Sequence, residues 1–211
     1  RDKTGFNPAF YNASSVSVQQ EKINQNPHFV YLAYFATNVI KVGISQEERG
    51  IRRLLEQGAR LAIKLETFSS ALIARQYEAK ISKLDGIAET LPVHKKMELI
   101  KLPFDRAIGE RELRQKLLEI EQKIGVSFPK SELIPCEDYF QTAGVDLSRV
   151  VLMKDCSQLV GHVRSIIGSI VITDYGGQLL AYNIKKLIGY RAQKVDEEIE
   201  LDLPTEQLTL F

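Results

Sequence analysis

Only two cysteines, Cys136 and Cys156, occur in 211 residues. So few exclude a disulfide framework, and their long separation matches no zinc-binding pattern. They read as buried structural thiols in a reducing compartment, which makes a cytoplasmic location the expectation. No apolar run approaches the roughly 20 residues that a membrane span needs, and no secretory signal is visible, so no membrane partner is expected. A one-signed charge excess is also missing. The formal net charge is +1, so any affinity for nucleic acid has to come from a local patch rather than a global field. What is present is an ordinary balance of 44% hydrophobic and 26% charged residues. That balance suits a folded protein, and the length allows one large domain or two small ones.

Residues 1–27 are polar and read as an irregular arm, with Asn26-Pro27 as a turn signal. Phe29 to Phe35 (FVYLAYF) is aromatic and β-branched, the composition of a buried strand. Val39 to Ser45 (VIKVGIS) follows across a tight turn at Ala36-Thr37-Asn38, predicting an antiparallel hairpin. Ser45 is the expected N-cap of a helix through Ile51, Leu54 and Leu55 that Gly58 stops. Residues 60–68 alternate as a third strand, and Ser69 or Ser70 caps a further helix to about Lys83. After a short apolar stretch (MELIKL) between Pro92 and Pro103, Arg106 to Ile124 carries Leu113, Leu117, Ile120 and Ile124 on one helical stripe, with Gly125 ending it. Residues 126–149 read as loop-rich. From Val150, β-like runs broken by Gly161, Gly168 and Gly176-Gly177 predict a small β-rich module of barrel or sandwich type over 150–194. Residues 195–211 form an acidic tail. The class is α+β: a three-stranded antiparallel sheet flanked by helices over 28–104, a helical connector over 105–149, and then the β-rich module.

Side chains alternate across a strand. Pairing Phe35 with Val39 sets Ala33 opposite Lys41 and Tyr31 opposite Gly43. One face of the hairpin then shows a tyrosine and a lysine over a floor of Ala33 and Gly43, either a ligand cleft or a solvated sheet edge with a snorkelling lysine. On the helix after the third strand, Ala71, Ala74, Glu78 and Ile81 fall on one stripe. A carboxylate stands where the pattern asks for an apolar residue, which calls for a metal or a partner such as Arg75 or Lys80. Arg53 and Gln57 project together, one turn apart, while Arg52 faces about a third of a turn away.

The ordered set Val30-Tyr31-Leu32, Lys41-Val42-Gly43, a helical Arg53 and then Glu78 resembles the GIY-YIG endonuclease superfamily. It is most similar to a bacterial branch whose second motif reads KVG, sharing the run from Tyr31 to Ala59. The resemblance covers roughly residues 28–100. It implies a GIY-YIG-like three-stranded sheet and metal-dependent hydrolysis of a phosphodiester in DNA. In that scheme Tyr31 acts as general base or water positioner. Arg53 holds the scissile phosphate, and Glu78 holds Mg²⁺ or Mn²⁺. Lys41 polarises the tyrosine, whose phenol near pKa ~10 needs a neighbouring cation to act at neutral pH. Gly43, Arg52, Gln57, Lys95 and Lys96 are the expected substrate contacts, with Lys101 a further phosphate contact. The sequence departs from the family pattern in lacking the second tyrosine, in placing Gln57 where a histidine is common, and in having no clear asparagine over Leu91 to Met97.

The final QLTLF resembles the pentapeptide by which bacterial replication and repair proteins dock on the ring-shaped sliding clamp. Leu208, Leu210 and Phe211 would fill an apolar pocket and Gln207 would set the register; the other course is a final strand packed on its own domain. Three functions follow as expectations: a clamp-recruited, metal-dependent DNA endonuclease in repair or replication, a catalytically degenerate binder of branched or single-stranded nucleic acid, and an adaptor that acts through the clamp peptide alone.

Overall fold

A computed structural model describes residues 18–154 and 156–195 of the chain. The polar arm is therefore seen only from Val18, and the clamp-like peptide with Gln207, Leu208, Leu210 and Phe211 lies outside the described residues. Val18–Gln25, expected to be irregular, is a helix (α1) that touches the Glu78 helix.

The centre of the protein is β1 (His28–Ala36), in which all nine residues are buried. It is flanked by β2 (Val39–Gln46) and β3 (Leu61–Phe68), both antiparallel to it. Two shorter strands extend this sheet: β4 (Ile87–Ala88), parallel to β2, and β5 (Glu132–Ile134), antiparallel to β3. The sheet thus has five strands in the order β4-β2-β1-β3-β5, where the sequence suggested three. The added edge strands are two and three residues long, too short to show an alternation.

The hairpin register places Tyr31 opposite Gly43 and Ala33 opposite Lys41, as the alternation predicts. Its turn differs. A bulge after Tyr34 lets Ala36, rather than Phe35, pair with Val39, and Asn38 takes a φ of 60°, a conformation asparagine tolerates. Ser45 does not cap a helix, because β2 runs on to Gln46 and a 3₁₀ turn, Glu47–Arg49, precedes α2 (Gly50–Gln57). Gly58 (φ 71°) and Gly125 (φ 67°) end their helices in the left-handed region, as expected. The other helices are α3 (Ala71–Ile81), α4 (Val93–Leu99) and α5 (Arg106–Ile124). The apolar run MELIKL therefore enters a helix, and Asp105 starts α5 by accepting the Ile108 amide at 2.9 Å.

Because β1 is buried on both sides, its two faces build two cores. Val30, Leu32 and Tyr34 pack with Leu61, Ile63, Ala74 and Ile81, and with Leu113, Leu117 and Ile120 of α5. Phe29, Tyr31, Ala33 and Phe35 pack instead with Leu54 of α2, Met97 and Leu99 of α4, and Ile167, Ile170, Ile172 and Ala181. The last four belong to a second sheet of β6 (Val151–Leu152), β7 (His162–Ile167), β8 (Ile170–Tyr175) and β9 (Gln178–Asn183), in the order β6-β9-β8-β7. The β-rich module is thus an open four-stranded sheet rather than a closed barrel, and its inner face shares a core with Tyr31. Cys136 and Cys156 are free and buried, as expected. Among the described residues no helix is long and apolar enough to cross a membrane.

The β7–β8 turn sits on the end of α2. A Cβ on Gly168, whose φ is 61°, would lie 2.8 Å from the Gly58 amide nitrogen and 2.9 Å from the Glu56 carbonyl oxygen. Gly168→Ala is therefore expected to cost ~1–2 kcal/mol for the left-handed backbone and a further ~1–3 kcal/mol for overpacking, read from urea denaturation in one cooperative transition. Gly176→Ala, with φ 59° and open space around its Cβ, should show the backbone part alone. Equal midpoints for the two variants would mean that the turn does not bear on α2.

Candidate functional site

Gly43 is the floor of the site. Tyr31 lies across it so closely that a Cβ at position 43 would stand 2.5 Å from the phenol oxygen. Tyr31 itself is fully buried, with its ring tilted against Phe29 at 5.9 Å. Burial pushes its phenol above the ordinary value, and the charge of Arg53 opposes that shift without overcoming it. The cation acting on Tyr31 is Arg53 rather than the expected Lys41, and desolvation outweighs it, so the phenol keeps its proton at neutral pH. Its buried hydroxyl has no hydrogen-bond partner among the described residues.

Arg53 comes from α2, whose Leu54 is anchored in the core. Glu56 is engaged mainly by Arg49 (2.5 Å) and stands 3.9 Å from Arg53. Arg52 is exposed, as its helical offset predicts. At the end of α2 the Gln57 carbonyl accepts from Lys96 Nζ at 2.6 Å, and its side-chain Oε1 accepts the same ammonium at 3.4 Å. Lys96 is buried, with its Nζ 5.0 Å from the Phe35 ring centroid. Lys95 is exposed and pairs with Glu98 at 3.1 Å, so only the second of the two expected lysines enters the cleft. Arg60 fixes the helix that carries Lys96 by donating to the carbonyls of Ile100 (2.7 Å) and Leu102 (2.9 Å). Sequence reasoning passed over Arg60, and only its place after the Gly58 stop hinted at a role.

Lys41 donates to the Val42 carbonyl at 3.0 Å. Burial, reinforced by Arg53, lowers its ammonium to about 8, and Glu89 opposes the shift. Burial lowers Lys96 further, to about 7, helped by Lys185, Lys41 and Arg53. Lys41, Arg53 and Lys96 thus act on one another, Arg53 also acts on the buried phenol, and a fourth cation, Lys185, acts on Lys96 from the 3₁₀ turn Ile184–Leu187 after β9. Nothing in the sequence placed Lys185 near Arg53, because a contact between two sheets is not periodic.

Glu78 is buried on the stripe with Ala71, Ala74 and Ile81, as the pattern predicts. Its carboxylate is paired with Arg75, which also faces Glu89 at 3.7 Å. Of the two partners weighed for Glu78, Arg75 takes the pairing, since residues three apart are neighbours on a helix. Ala74 and Ile81 pack on the sheet face opposite to Tyr31, so the structure gathers Tyr31, Lys41, Gly43, Arg53, Gln57 and Lys96. Glu78 stands with Arg75 and Glu89, joined to that group through Lys41, which feels both Arg53 and Arg75. Arg75 pairs with one oxygen of the Glu78 carboxylate, so a Mg²⁺ or Mn²⁺ ion there would compete with a guanidinium. Among the described residues no group of three or more His, Cys, Asp or Glu could hold a metal ion.

An anion held by these two lysines would be released as pH rises. Each pKa is lowered, so the charged form is lost as pH rises through about 7 for Lys96 and about 8 for Lys41. Affinity for labelled DNA at constant ionic strength should fall across that window, with the salt slope shrinking by about 0.7 per lysine discharged on a single strand. Lys96→Met should remove the lower step. A flat profile in the unaltered protein would contradict this placement of the lysines.

A family model described as a protein of unknown function, DUF2797, matches residues 15–192. No curated protein and no solved structure matches the chain. With most of its length inside that match, the chain belongs to the DUF2797 family.

Proposed function

We propose that the cleft is a nuclease-type site that binds a phosphodiester of DNA and hydrolyses it. The observation that carries this reading is that Lys41, Arg53 and Lys96 act on one another, with Arg53 also acting on the buried phenol of Tyr31. Like charges forced together at the cost of burial mark a place completed by a polyanion. Arg53 presents a planar fork suited to phosphate oxygens and to the charge that grows on them in the transition state. Lys41, poised near the working pH, suits the removal of a proton from the attacking water. Tyr31 keeps its proton and donates a hydrogen bond. The resemblance to GIY-YIG endonucleases supports the same substrate, while its metal requirement meets the Arg75–Glu78 pair, so no step here runs through a metal.

A second reading, a binder without turnover, is favoured by that ion pair and by Gln57, whose amide oxygen is turned to Lys96. Purified protein on flap, gapped and duplex DNA with Mg²⁺, Mn²⁺ or EDTA separates the two. Hydrolysis should fall ~10²-fold or more in Arg53→Ala and lose its rise with pH in Lys41→Met. DNA that is bound but never cut under any of these conditions leaves the binder.

Recruitment to a bacterial sliding clamp through Gln207, Leu208, Leu210 and Phe211 belongs to the same proposal and rests on the peptide's sequence. Deleting Gln207 to Phe211 should abolish co-elution with the clamp. Retention of that association would remove the tail from the proposal without touching the cleft.

A further inference from the structure

A cavity of about 240 Å³ opens where α2 meets the second sheet. Arg53 and Gln57 line one side, and Ser169, Ile184, Lys185 and Ile188 line the other. It is continuous with the cation cluster, since Arg53 belongs to both and Lys185 acts on Lys96. We propose that this cavity receives one unpaired nucleotide next to the bound phosphodiester, with Lys185 holding its phosphate and Ile184 and Ile188 covering its base. The inference rests on the phosphodiester-binding part of the reading above and not on turnover.

Three features argue for a single nucleotide. The volume lies below the ~300 Å³ at which pockets begin to enclose drug-sized ligands, so it fits a nucleoside moiety and not a base pair. Its lining combines two cations, Arg53 and Lys185, and two isoleucines with a single carboxylate, Glu56, which is already paired with Arg49; charge for the backbone thus stands beside apolar surface for the base. Its position demands an unstacked base, because a base inside a duplex cannot enter a recess between two protein elements.

Lys185 is built into place. The Asn183 side chain accepts the Lys185 amide at 3.1 Å and starts the turn, and the rigid Gly168–Gly58 contact fixes that turn's sheet on α2. The neighbouring Lys186 is spent on the Lys154 carbonyl at 2.7 Å. Ile188 is 69% exposed, a large apolar side chain at the mouth of a charged cleft. The second sheet thereby gains a task, which is to select nucleic acid with unpaired nucleotides.

The test is fluorescence anisotropy of the full chain with a labelled single strand and the matching duplex, in EDTA and over a salt series. Lys185→Glu should lower single-strand affinity about tenfold and reduce the salt slope by about 1. Ile188→Asp should narrow the preference for the single strand. Arg53→Ala should weaken both forms, and Lys123→Glu on α5 matches the charge change at a distance. Lys185 and Ile188 are exposed, so unchanged denaturation midpoints are expected and guard against misfolding. Single-strand binding identical to the unaltered protein in both Lys185→Glu and Ile188→Asp overturns the proposal while leaving the Arg53 site standing. Failure of the unaltered protein to bind either DNA overturns it together with the reading beneath it. Binding that depends on Lys185 without any cleavage sinks only the turnover.

Discussion

The bond on which the site depends is the one from Lys96 Nζ to the Gln57 carbonyl. A helix leaves its last carbonyls without partners and carries partial negative charge at that end. α2 ends there at Gly58, so the ammonium from α4 completes it. The same bond sets Lys96 beside Arg53 and ties α4 to α2 across the Tyr31 face of the sheet. Arg60 repeats the device at the next helix end, where its guanidinium donates to the Leu99 carbonyl that closes α4 and to those of Ile100 and Leu102 just beyond it. The cations of the cleft are therefore held by main-chain oxygens more than by carboxylates, and this matters chemically. A carbonyl positions a cation while leaving its net charge available to an incoming anion, whereas a carboxylate would cancel it.

Holding uncancelled charge inside a protein is costly. The cost appears in the lowered values of Lys96 and Lys41, and it is met by the surrounding fold. β1 is buried on both faces, and its outer neighbours α3 and α5 form an apolar core that contains none of the site's cations. The second sheet closes the Tyr31 face, which excludes water from the phenol and strengthens every charge interaction beneath it.

Local signals carried far in this sequence. The alternation of FVYLAYF against VIKVGIS gave the Tyr31–Gly43 and Ala33–Lys41 register, although a bulge beyond Tyr34 shifted the turn. Gly58 and Gly125 marked helix ends because a left-handed backbone at glycine is a local property. The Glu78 stripe announced its burial. Three things were not local. MELIKL was too short to show a period, and it became a helix because Lys96, Met97 and Leu99 bury against other elements. Arg75 reached Glu78 because a long side chain bends over its own helix. Lys185 came to Arg53 through a contact between sheets that no sequence spacing encodes.

The Arg75–Glu78 pair bears on the chemistry proposed for the cleft. A buried carboxylate calls for a cation, and a guanidinium or a divalent ion can each answer that call. Here the guanidinium does so, and Arg75 also faces a second carboxylate, Glu89, at 3.7 Å. Lys41 feels this corner directly: Glu89 stabilises its protonated form, while Arg75, like Arg53, favours the free amine. The base strength of Lys41 is thus set by burial and two arginines on one side and Glu89 on the other. Glu78 bears on it only through the Arg75 that it holds.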